Sequence, residues 1–257
     1  MAISIHWGGQ SSLQVHVRTV EALRPLQWLA RGWQDLRAHW RISLAHGLLL
    51  TAAGAILVML GSTHPYLIAA AITGFLLVGP VMTTGVMEVS RRAHAGEPVS
   101  FDASLEGYTR NRSALFDFAK ILAVIAVLWF LASEVLLRSM FDMESPTLGQ
   151  VLYDGVLQAA SGAQVLAYVL IGGALAALIF VLSAVSVPLI IDRPASAGDA
   201  MRISLRAVFA NLPAMLIWSV MLVVLTAIGF ATLLVGMIWI APLLGHATWH
   251  AYRDLIE

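Results

Sequence analysis

The residues that could do chemistry lie mainly near the end of the chain, in a segment with two histidines. His246 and His250 are four residues apart. On a helix they share one face, at the spacing with which two imidazoles bind a metal ion or flank a haem edge. His46, five residues beyond Arg41, starts at a similar depth in an earlier apolar run. With Glu88 they form a candidate metal or haem site. The alternative is that they make hydrogen bonds between helices or lie at the water interface.

Glu88 joins this set because two segments share one layout. Residues 74–91 and 236–253 each contain glycine, four apolar residues, a small residue and proline, then ten residues before an arginine. Each segment therefore presents one helical stripe, formed by Pro80, Thr84, Glu88 and Arg91 in the first and by Pro242, His246, His250 and Arg253 in the second. Glu88 occupies the position that His250 occupies in the later segment.

The elements that carry these stripes are predicted to lie in a membrane. The chain has 257 residues, of which 59% are hydrophobic and 12% are charged, and a soluble core of ordinary composition does not hide so much apolar surface. The formal net charge is zero and gives no argument for binding nucleic acid. The chain has no cysteine, which excludes disulfides, thiolate metal sites and a cysteine nucleophile. The sequence predicts an all-α, polytopic membrane helical bundle.

Six apolar runs predict six transmembrane helices, over residues 43–61, 65–90, 115–137, 164–191, 212–230 and 233–252. At about 1.5 Å per residue, runs of this length cross a hydrocarbon layer of about 30 Å. Residues 1–25 are predicted to be a cytoplasmic N-terminal tail without a secretory signal, and residues 26–257 to be one membrane domain.

The first of three amphipathic segments precedes the first span. In residues 26–40, apolar side chains recur at steps of three and four, which predicts a helix in the membrane interface with tryptophans at headgroup depth. The interfacial anchors of the whole chain are predicted to be Trp33, Trp40, Arg91, Arg92 and Arg253.

Pro25 opens the first segment, and a proline opens each of the two later segments. Pro98 is followed by Ser100 as an N-cap, and Pro194 by Ser196 and Asp199 in a pattern like a capping box. The pattern of interfacial helix, span and proline-bearing span thus occurs three times, which predicts a degenerate threefold repeat. The other explanation is that shared membrane constraints produce the similarity. The second span of each repeat contains a proline, namely Pro80, Pro188 or Pro242. These prolines predict kinks in the helices, and the alternative is that they only shape helix packing.

The distribution of cationic residues predicts the orientation. If the N-terminus is cytoplasmic, six spans leave fourteen of the fifteen Lys and Arg residues on the cytoplasmic side and only Arg138 outside. By the positive-inside rule, this bias predicts a multi-pass protein of the bacterial inner membrane with both termini in the cytoplasm.

Sequence motifs of the common enzyme classes do not occur. The chain has no Walker loop, no HExxH and no G-x-S-x-G. Asp117 with Lys120 and Glu134 with Arg138 read as local ion pairs at the two ends of the third span, so no charge stands unpaired at mid-membrane and an ion-coupled pump is disfavoured. The sequence predicts that the protein is not an enzyme.

From Trp28 onward the chain resembles a family of predicted bacterial integral membrane proteins of unknown function. The stretches that carry the resemblance are WLARGWQDL at 28–36, GFLLVGPVMTTGVMEVSRRAHAGEPVS at 74–100 and APLLGHATWHAYRDL at 241–255. Members are sometimes labelled cytochrome c oxidase subunit I-like, but that catalytic subunit has about twice as many spans and a set of haem and copper histidines. The resemblance implies six spans in a bacterial inner membrane and at most an association with respiration. It transfers no catalytic residue.

The short loops, the abundant small residues and the lack of enzyme motifs together predict an accessory or assembly subunit of a larger membrane complex. Its expected partners are the lipid bilayer and other membrane subunits or further copies of the chain, and not nucleic acid. The alternative is a carrier of a small molecule, metal or haem that uses the four-residue site. The sequence leaves the cofactor unknown.

Overall fold

A computed structural model of the chain describes residues 15–61, 79–140 and 162–257. These residues are helical, apart from short connections and one isolated antiparallel β-bridge between Val17 and Ile256. The all-helical class predicted from the sequence is therefore confirmed. Residues 1–14 of the predicted tail, most of the predicted span at 65–90 and the loop that precedes the fourth span lie outside the described residues.

The helices follow the predicted apolar and amphipathic runs. The first half of the described chain contains α1 (Arg24–Ala38), α2 (Trp40–Gly61), α3 (Thr84–Ala95), α4 (Phe101–Leu105), α5 (Gly107–Arg110) and α6 (Arg112–Met140). The second half contains α7 (Gly162–Ser183), α8 (Ser186–Asp192), α9 (Ala197–Ala210), α10 (Leu212–Ala231) and α11 (Met237–Leu255).

The predicted N-caps are present. The Ser100 hydroxyl accepts a hydrogen bond from the backbone N–H of Ala103 at 3.0 Å, and the Ser196 hydroxyl accepts one from Asp199 at 3.1 Å. These bonds satisfy backbone donors that the first turn of a helix leaves free.

Four helical stretches in the described part of the chain are long and apolar enough to cross a membrane. They are Trp40–Leu57, Arg112–Ser133, Gly162–Asp192 and Leu212–Ala231. Each overlaps a predicted span. Helix α11 covers the predicted sixth span from Met237 onward but is not among the four, because histidines and charged residues lower its hydropathy.

The chain divides into two compact units. The first comprises Met1–Thr51, Pro80–Phe118 and Phe180–Glu257, and the second comprises Ala52–Gly79 and Ala119–Ile179. In the described residues of the second unit, the ring centroids of Trp129 and Tyr168 are 5.4 Å apart and the Tyr168 hydroxyl lies 2.9 Å from Ser133 Oγ. Gly172 packs against Trp129, where an added Cβ would lie 3.0 Å from the indole.

The core of the first unit is a group of three helices that follow or contain prolines. Helices α3, α8 and α11 contact one another, and every residue from Thr84 to Arg92 and from Ser186 to Ile191 is buried. The amphipathic helices pack around this core: α1 on α11, α4 and α5 on α3, and α9 on α8. Their buried faces follow from the apolar periodicity that predicted them.

Helical regularity is lost near two of the three prolines. A turn at Ala184 and Val185 separates α7 from α8, and Pro188 has no N–H to bond the carbonyl of Ala184. A turn residue, Thr83, follows the helical residues 79–82 that include Pro80. Helix α11 continues through Pro242. The kinks predicted at these positions remain predictions.

Close helix packing in the first unit depends on glycines at two contacts. A Cβ at Gly32 of α1 would lie 2.7 Å from the backbone nitrogen of Ala247 in α11, and a Cβ at Gly47 of α2 would collide with the carbonyl of Ile238. The backbones approach so closely that no side chain fits between them.

Each amphipathic helix turns into the following helix at a single residue, and the three turns have similar geometry. The residues are His39 (φ −119°, ψ 35°), Asn111 (φ −132°, ψ 59°) and Asn211 (φ −130°, ψ 33°). We call these three junctions the elbows. They redirect the chain from α1 into α2, from α5 into α6 and from α9 into α10.

Candidate functional site

Apart from Pro80, which precedes α3 and is half-buried, the two predicted stripes lie on α3 and α11, and most of their residues face the interior of the first unit. Glu88 and His246 are fully buried, and Arg91 and His250 are each 8% exposed. Arg253, at the end of its stripe, is exposed. The stripes therefore form polar seams within an otherwise apolar core.

The carboxylate of Glu88 binds three arginines. Arg91 holds it with two bonds, from Nε to Oε2 at 2.7 Å and from Nη2 to Oε1 at 2.9 Å. Arg92 Nε and Arg110 Nη2 donate to Oε1 at 3.0 and 2.9 Å. Since a buried carboxylate without partners is strongly disfavoured, these arginines make Glu88 tolerable in the core.

Two more carboxylates balance the arginines. Glu97 Oε2 accepts from Arg91 Nη2 at 2.6 Å, and Glu106 is ion-paired with Arg92. The hydrogen bond to Glu88 raises the pKa of Arg91 above its usual value, although burial acts to lower it. We call the whole group the Glu88 cluster, formed by Glu88, Arg91, Arg92, Glu97, Glu106 and Arg110. Its formal charge is zero.

Local spacing and one glycine assemble the Glu88 cluster. Arg91 and Arg92 follow Glu88 by three and four residues on α3, so they lie on the same helical face. Arg110 comes from α5, which approaches closely because Gly107 has no side chain: a Cβ there would lie 3.0 Å from the Cβ of Glu88.

A chain of hydrogen bonds links α1, α2, α3 and α11. Asp35 Oδ2 lies 2.9 Å from His250 Nε2 and 2.5 Å from Ser90 Oγ. Ser90 Oγ lies 2.7 Å from His246 Nδ1, and His246 Nε2 lies 2.8 Å from Ser43 Oγ. We call these five residues the His246 chain.

The chemistry of the groups gives the His246 chain a direction. A carboxylate only accepts hydrogen bonds, so Ser90 and His250 both donate to Asp35. Because Ser90 has one proton, it must accept from His246 Nδ1–H. In a neutral imidazole, Nε2 is then an acceptor, and the single hydroxyl proton of Ser43 is shared between this nitrogen at 2.8 Å and the carbonyl of His39 at 3.0 Å. Both ring nitrogens of His246 are therefore in use.

His46 lies in a separate polar contact. Its Nε2 is 2.7 Å from Ser104 Oγ, and its ring stacks on Phe101 with the centroids 4.9 Å apart. Gly85 of α3 packs against the imidazole so closely that a side chain there would collide with it. His46 thus contacts both α4 and α3.

A third polar contact holds the start of α1 against the end of α11. Asp254 accepts from Arg24 Nε at 2.6 Å, from Trp28 Nε1 at 2.9 Å and from Arg31 Nη1 at 3.2 Å. Trp28 is fully buried and packs edge-on against Trp218 with the centroids 5.8 Å apart. The carboxylate therefore satisfies an indole N–H at the edge of the core.

Burial and hydrogen bonding oppose each other at both aspartates. Burial acts to raise the pKa of Asp35, but hydrogen bonds from His250 and Ser90 outweigh it and hold that pKa below its usual value. Burial likewise acts to raise the pKa of Asp254, and the bonds from Arg24 and Trp28 lower it. Both carboxyl groups therefore favour the charged form.

The four predicted ligands have different partners. His246 and His250 belong to one hydrogen-bonded chain, whereas His46 bonds Ser104 and Glu88 bonds arginines. Across residues 15–61, 79–140 and 162–257, no group of three or more His, Asp, Glu or Cys is arranged to hold a metal ion. The carrier alternative remains a prediction from the sequence.

The predicted interfacial anchors have two kinds of environment. Trp33 and Trp40 are 45% and 52% exposed, as expected for side chains at a membrane surface. Arg91 and Arg92 are buried in the Glu88 cluster.

Sequence reasoning did not identify Asp35, Ser90 or Asp254 as site residues. The helical periodicity of residues 26–40 places Asp35 off the apolar face of α1, and its carboxylate is a shared acceptor in the His246 chain. A usable signal was its position ten residues after Pro25, because Tyr108 has the same spacing from Pro98 and also bonds a neighbouring helix.

The fold and the buried polar contacts define a class, the all-helical integral membrane proteins with several candidate spans. Residues 67–192, about half of the chain, match a family model described as "Predicted integral membrane protein (DUF2189)". The match confirms the resemblance to a family of membrane proteins of unknown function, and it contains the stretch at 74–100. No curated protein and no solved structure matches the chain.

Replacing Glu88 with glutamine should strongly destabilise the first unit. Glu88→Gln keeps the shape but leaves three arginines around a neutral amide, and breaking a buried ion pair from one side costs about 3–5 kcal/mol. The matched control is Glu106→Gln, whose side chain is 57% exposed and which should cost at most about 1 kcal/mol. Chemical unfolding in detergent measures both. Equal losses in the two variants would contradict the importance assigned to the buried carboxylate.

Acidification should loosen the contact between α1 and α11. A carboxyl group with a depressed folded-state pKa contributes stability that is complete above its unfolded pKa, near 4, and is lost as pH falls through the folded value. Thermal unfolding of the wild type should therefore shift to lower temperature as pH falls below about 4.

Asp254→Asn should lower the midpoint at neutral pH and reduce this acid-dependent shift. Asp102→Asn, a change at an exposed aspartate in the first turn of α4, should keep the wild-type pH profile. An Asp254→Asn profile identical to the wild type would rule out this carboxylate as a source of the pH dependence.

Proposed function

We propose that the protein is a non-enzymatic protein of the bacterial inner membrane that works by contact, as an accessory or assembly subunit of a larger membrane complex. The observation that carries this proposal is that His46, Glu88, His246 and His250 are all engaged by other side chains. An incoming ligand or substrate would have to displace these partners. Such contacts favour a role in stabilising the fold, with the outer surface left to recognise other molecules.

A face of small residues on α7 supports contact with another helix. Gly172 is covered by Trp129, but a Cβ at Gly173 would meet no atom of the described residues within 4 Å. Gly173, Ala176 and Ala177 are exposed. Small residues spaced by four allow two helix backbones to approach closely in a membrane. We infer that a helix of another membrane subunit, or of a second copy of this chain, packs there.

We also propose that the chain crosses the membrane six times, with both termini in the cytoplasm. The four apolar stretches account for four crossings, and the proline-bearing segment at 65–90 and α11 account for the other two. Leu233 and Leu234 have φ values of 52° and 69° between α10 and α11, which supports a tight reversal there. The excess of arginine on one side supports the orientation.

The packing of the amphipathic helices supports three related repeats, each made of an amphipathic helix, a span and a proline-bearing span. The amphipathic helices of the second and third repeats pack on the proline-bearing segment of the repeat before them: α4 and α5 on α3, and α9 on α8. Helix α1, of the first repeat, packs on α11 of the third repeat. The pattern therefore closes into a cycle, as three repeats around an axis would.

Equivalent side chains make these contacts. In each repeat, the residue ten positions after the proline that opens the amphipathic segment bonds the proline-bearing segment of the preceding repeat in the cycle. Asp35 bonds His250 at 2.9 Å, Tyr108 donates to the carbonyl of Met82 at 2.7 Å, and Ser204 donates to the carbonyl of Val181 at 2.7 Å. Shared membrane constraints select apolar residues and do not require bonds at one spacing, so the agreement favours duplication.

A bulky residue at Gly173 should abolish the proposed association. In native membranes, cross-linking should give a product larger than one chain for the wild type, and Gly173→Val should lose it because the backbones are held apart. The matched control is Ala174→Val, also exposed but about 100° round the helix. Circular dichroism checks that both variants fold. A wild type that stays a single chain, or a product that Gly173→Val retains, would refute the contact role.

Single cysteines can test the topology because the natural chain has none. Arg37→Cys and Arg206→Cys should react with a membrane-impermeant maleimide only after cells are opened. Leu233 is 88% exposed in the wild type, so Leu233→Cys should react in intact cells. Labelling of Leu233→Cys and Arg206→Cys from the same side would exclude the six-span topology.

A further inference from the structure

Exposed arginines lie at each of the three elbows. Arg37 and Arg41 flank His39, Arg112 follows Asn111, and Arg206 precedes Asn211. In the described part of the chain, no carboxylate forms an ion pair with any of these four arginines. Most other arginines of the first unit, such as those of the Glu88 cluster, have acidic partners. Arg253, exposed near the end of α11, also has no ion pair among the described residues.

Exposed aromatic side chains accompany these arginines. At the first elbow, the guanidinium carbon of Arg41 lies 5.3 Å from the centroid of the Trp40 ring, and Trp33 is exposed nearby in the sequence. Phe116 follows Arg112 by four residues and Phe209 follows Arg206 by three, and both are at least 60% exposed. An aromatic ring beside a cation is typical of the level at which lipid headgroups meet the hydrocarbon layer.

The position of the elbows points to the ligand. Each elbow joins an amphipathic helix to a helix long and apolar enough to span, namely α2, α6 or α10. The arginines there lie where phosphate groups of the bilayer are expected. A guanidinium group offers a fork of N–H donors that matches two phosphate oxygens.

We propose that the first elbow, formed by Trp33, Arg37, Trp40 and Arg41, binds the phosphodiester headgroup of an anionic phospholipid. The elbows at Asn111 and Asn211 bind the same headgroup more weakly, since each has one such arginine. The inference uses the proposed function only to put the three elbows in one leaflet. Binding at the first elbow requires no partner protein.

Native mass spectrometry of the purified, full-length protein can measure the preference. The protein is mixed with equal amounts of phosphatidylglycerol and phosphatidylcholine of the same chain length, and the ratio of bound lipids is recorded. The wild type should prefer phosphatidylglycerol. The double variant Arg37→Gln/Arg41→Gln should reduce that preference about fivefold for each arginine removed, and added salt should weaken the wild-type preference by screening.

The matched control is Arg202→Gln. Arg202 is similarly exposed, but Asp199 lies 3.6 Å from it, so this variant should keep the wild-type lipid ratio. If the double variant does not fold, each single variant is measured in its place.

Three results would overturn the inference: no preference in the wild type, an unchanged ratio in the double variant, or an equal loss in Arg202→Gln. If the arginines instead bound an acidic partner protein, the double variant would lose the cross-linked complex and keep its lipid ratio. Conversely, a lipid preference in a chain that never forms the complex would support this inference while refuting the contact role.

Discussion

A buried charge in apolar surroundings must have partners close at hand, and this constraint organises the first unit. Glu88 is fully buried on α3, so Arg91, Arg92 and Arg110 must surround it. Arg110 can reach it only if α5 lies directly against α3, and Gly107 permits that approach. The position of the second amphipathic helix is thus set by the requirement to pair one carboxylate.

Prolines create a related constraint in the backbone. A proline removes one helical hydrogen bond, and in a membrane the freed carbonyl must find another donor. The carbonyls of Met82 and Val181 are not the ones that Pro80 and Pro188 free directly, but each lies within three residues of the turn near its proline. The hydroxyls of Tyr108 and Ser204 donate to them. Two of the three amphipathic segments therefore cover interrupted helices. The amphipathic helices accordingly make their most extensive contacts with the proline-bearing segments, beside smaller ones such as that of Trp28 with Trp218 of α10.

Sequence reasoning succeeded where the information is local. Apolar run length and helical periodicity predicted α1, α2, α6 and α10, and residue type predicted the caps at Ser100 and Ser196. The site was harder, because the partner of His250 is Asp35, 215 residues away in the chain. Spacing within one helix does not give the register between two helices. The stripes were therefore recognised as polar seams, but their partners on α1, α2 and α5 were not.

The direction of the His246 chain bears on the choice between contact and carrier functions. Metal binding by His246 needs a lone pair on a ring nitrogen. Nδ1 donates to Ser90, and Nε2 faces the Ser43 hydroxyl, whose proton is shared with the carbonyl of His39. Coordination through Nε2 would displace Ser43, whereas coordination through Nδ1 would deprive Ser90 of its donor while Ser90 still bonds Asp35. Either change disturbs contacts that join α1, α2, α3 and α11. A metal would thus have to compete with the packing of four helices, which makes this histidine better suited to holding the fold than to releasing a cargo.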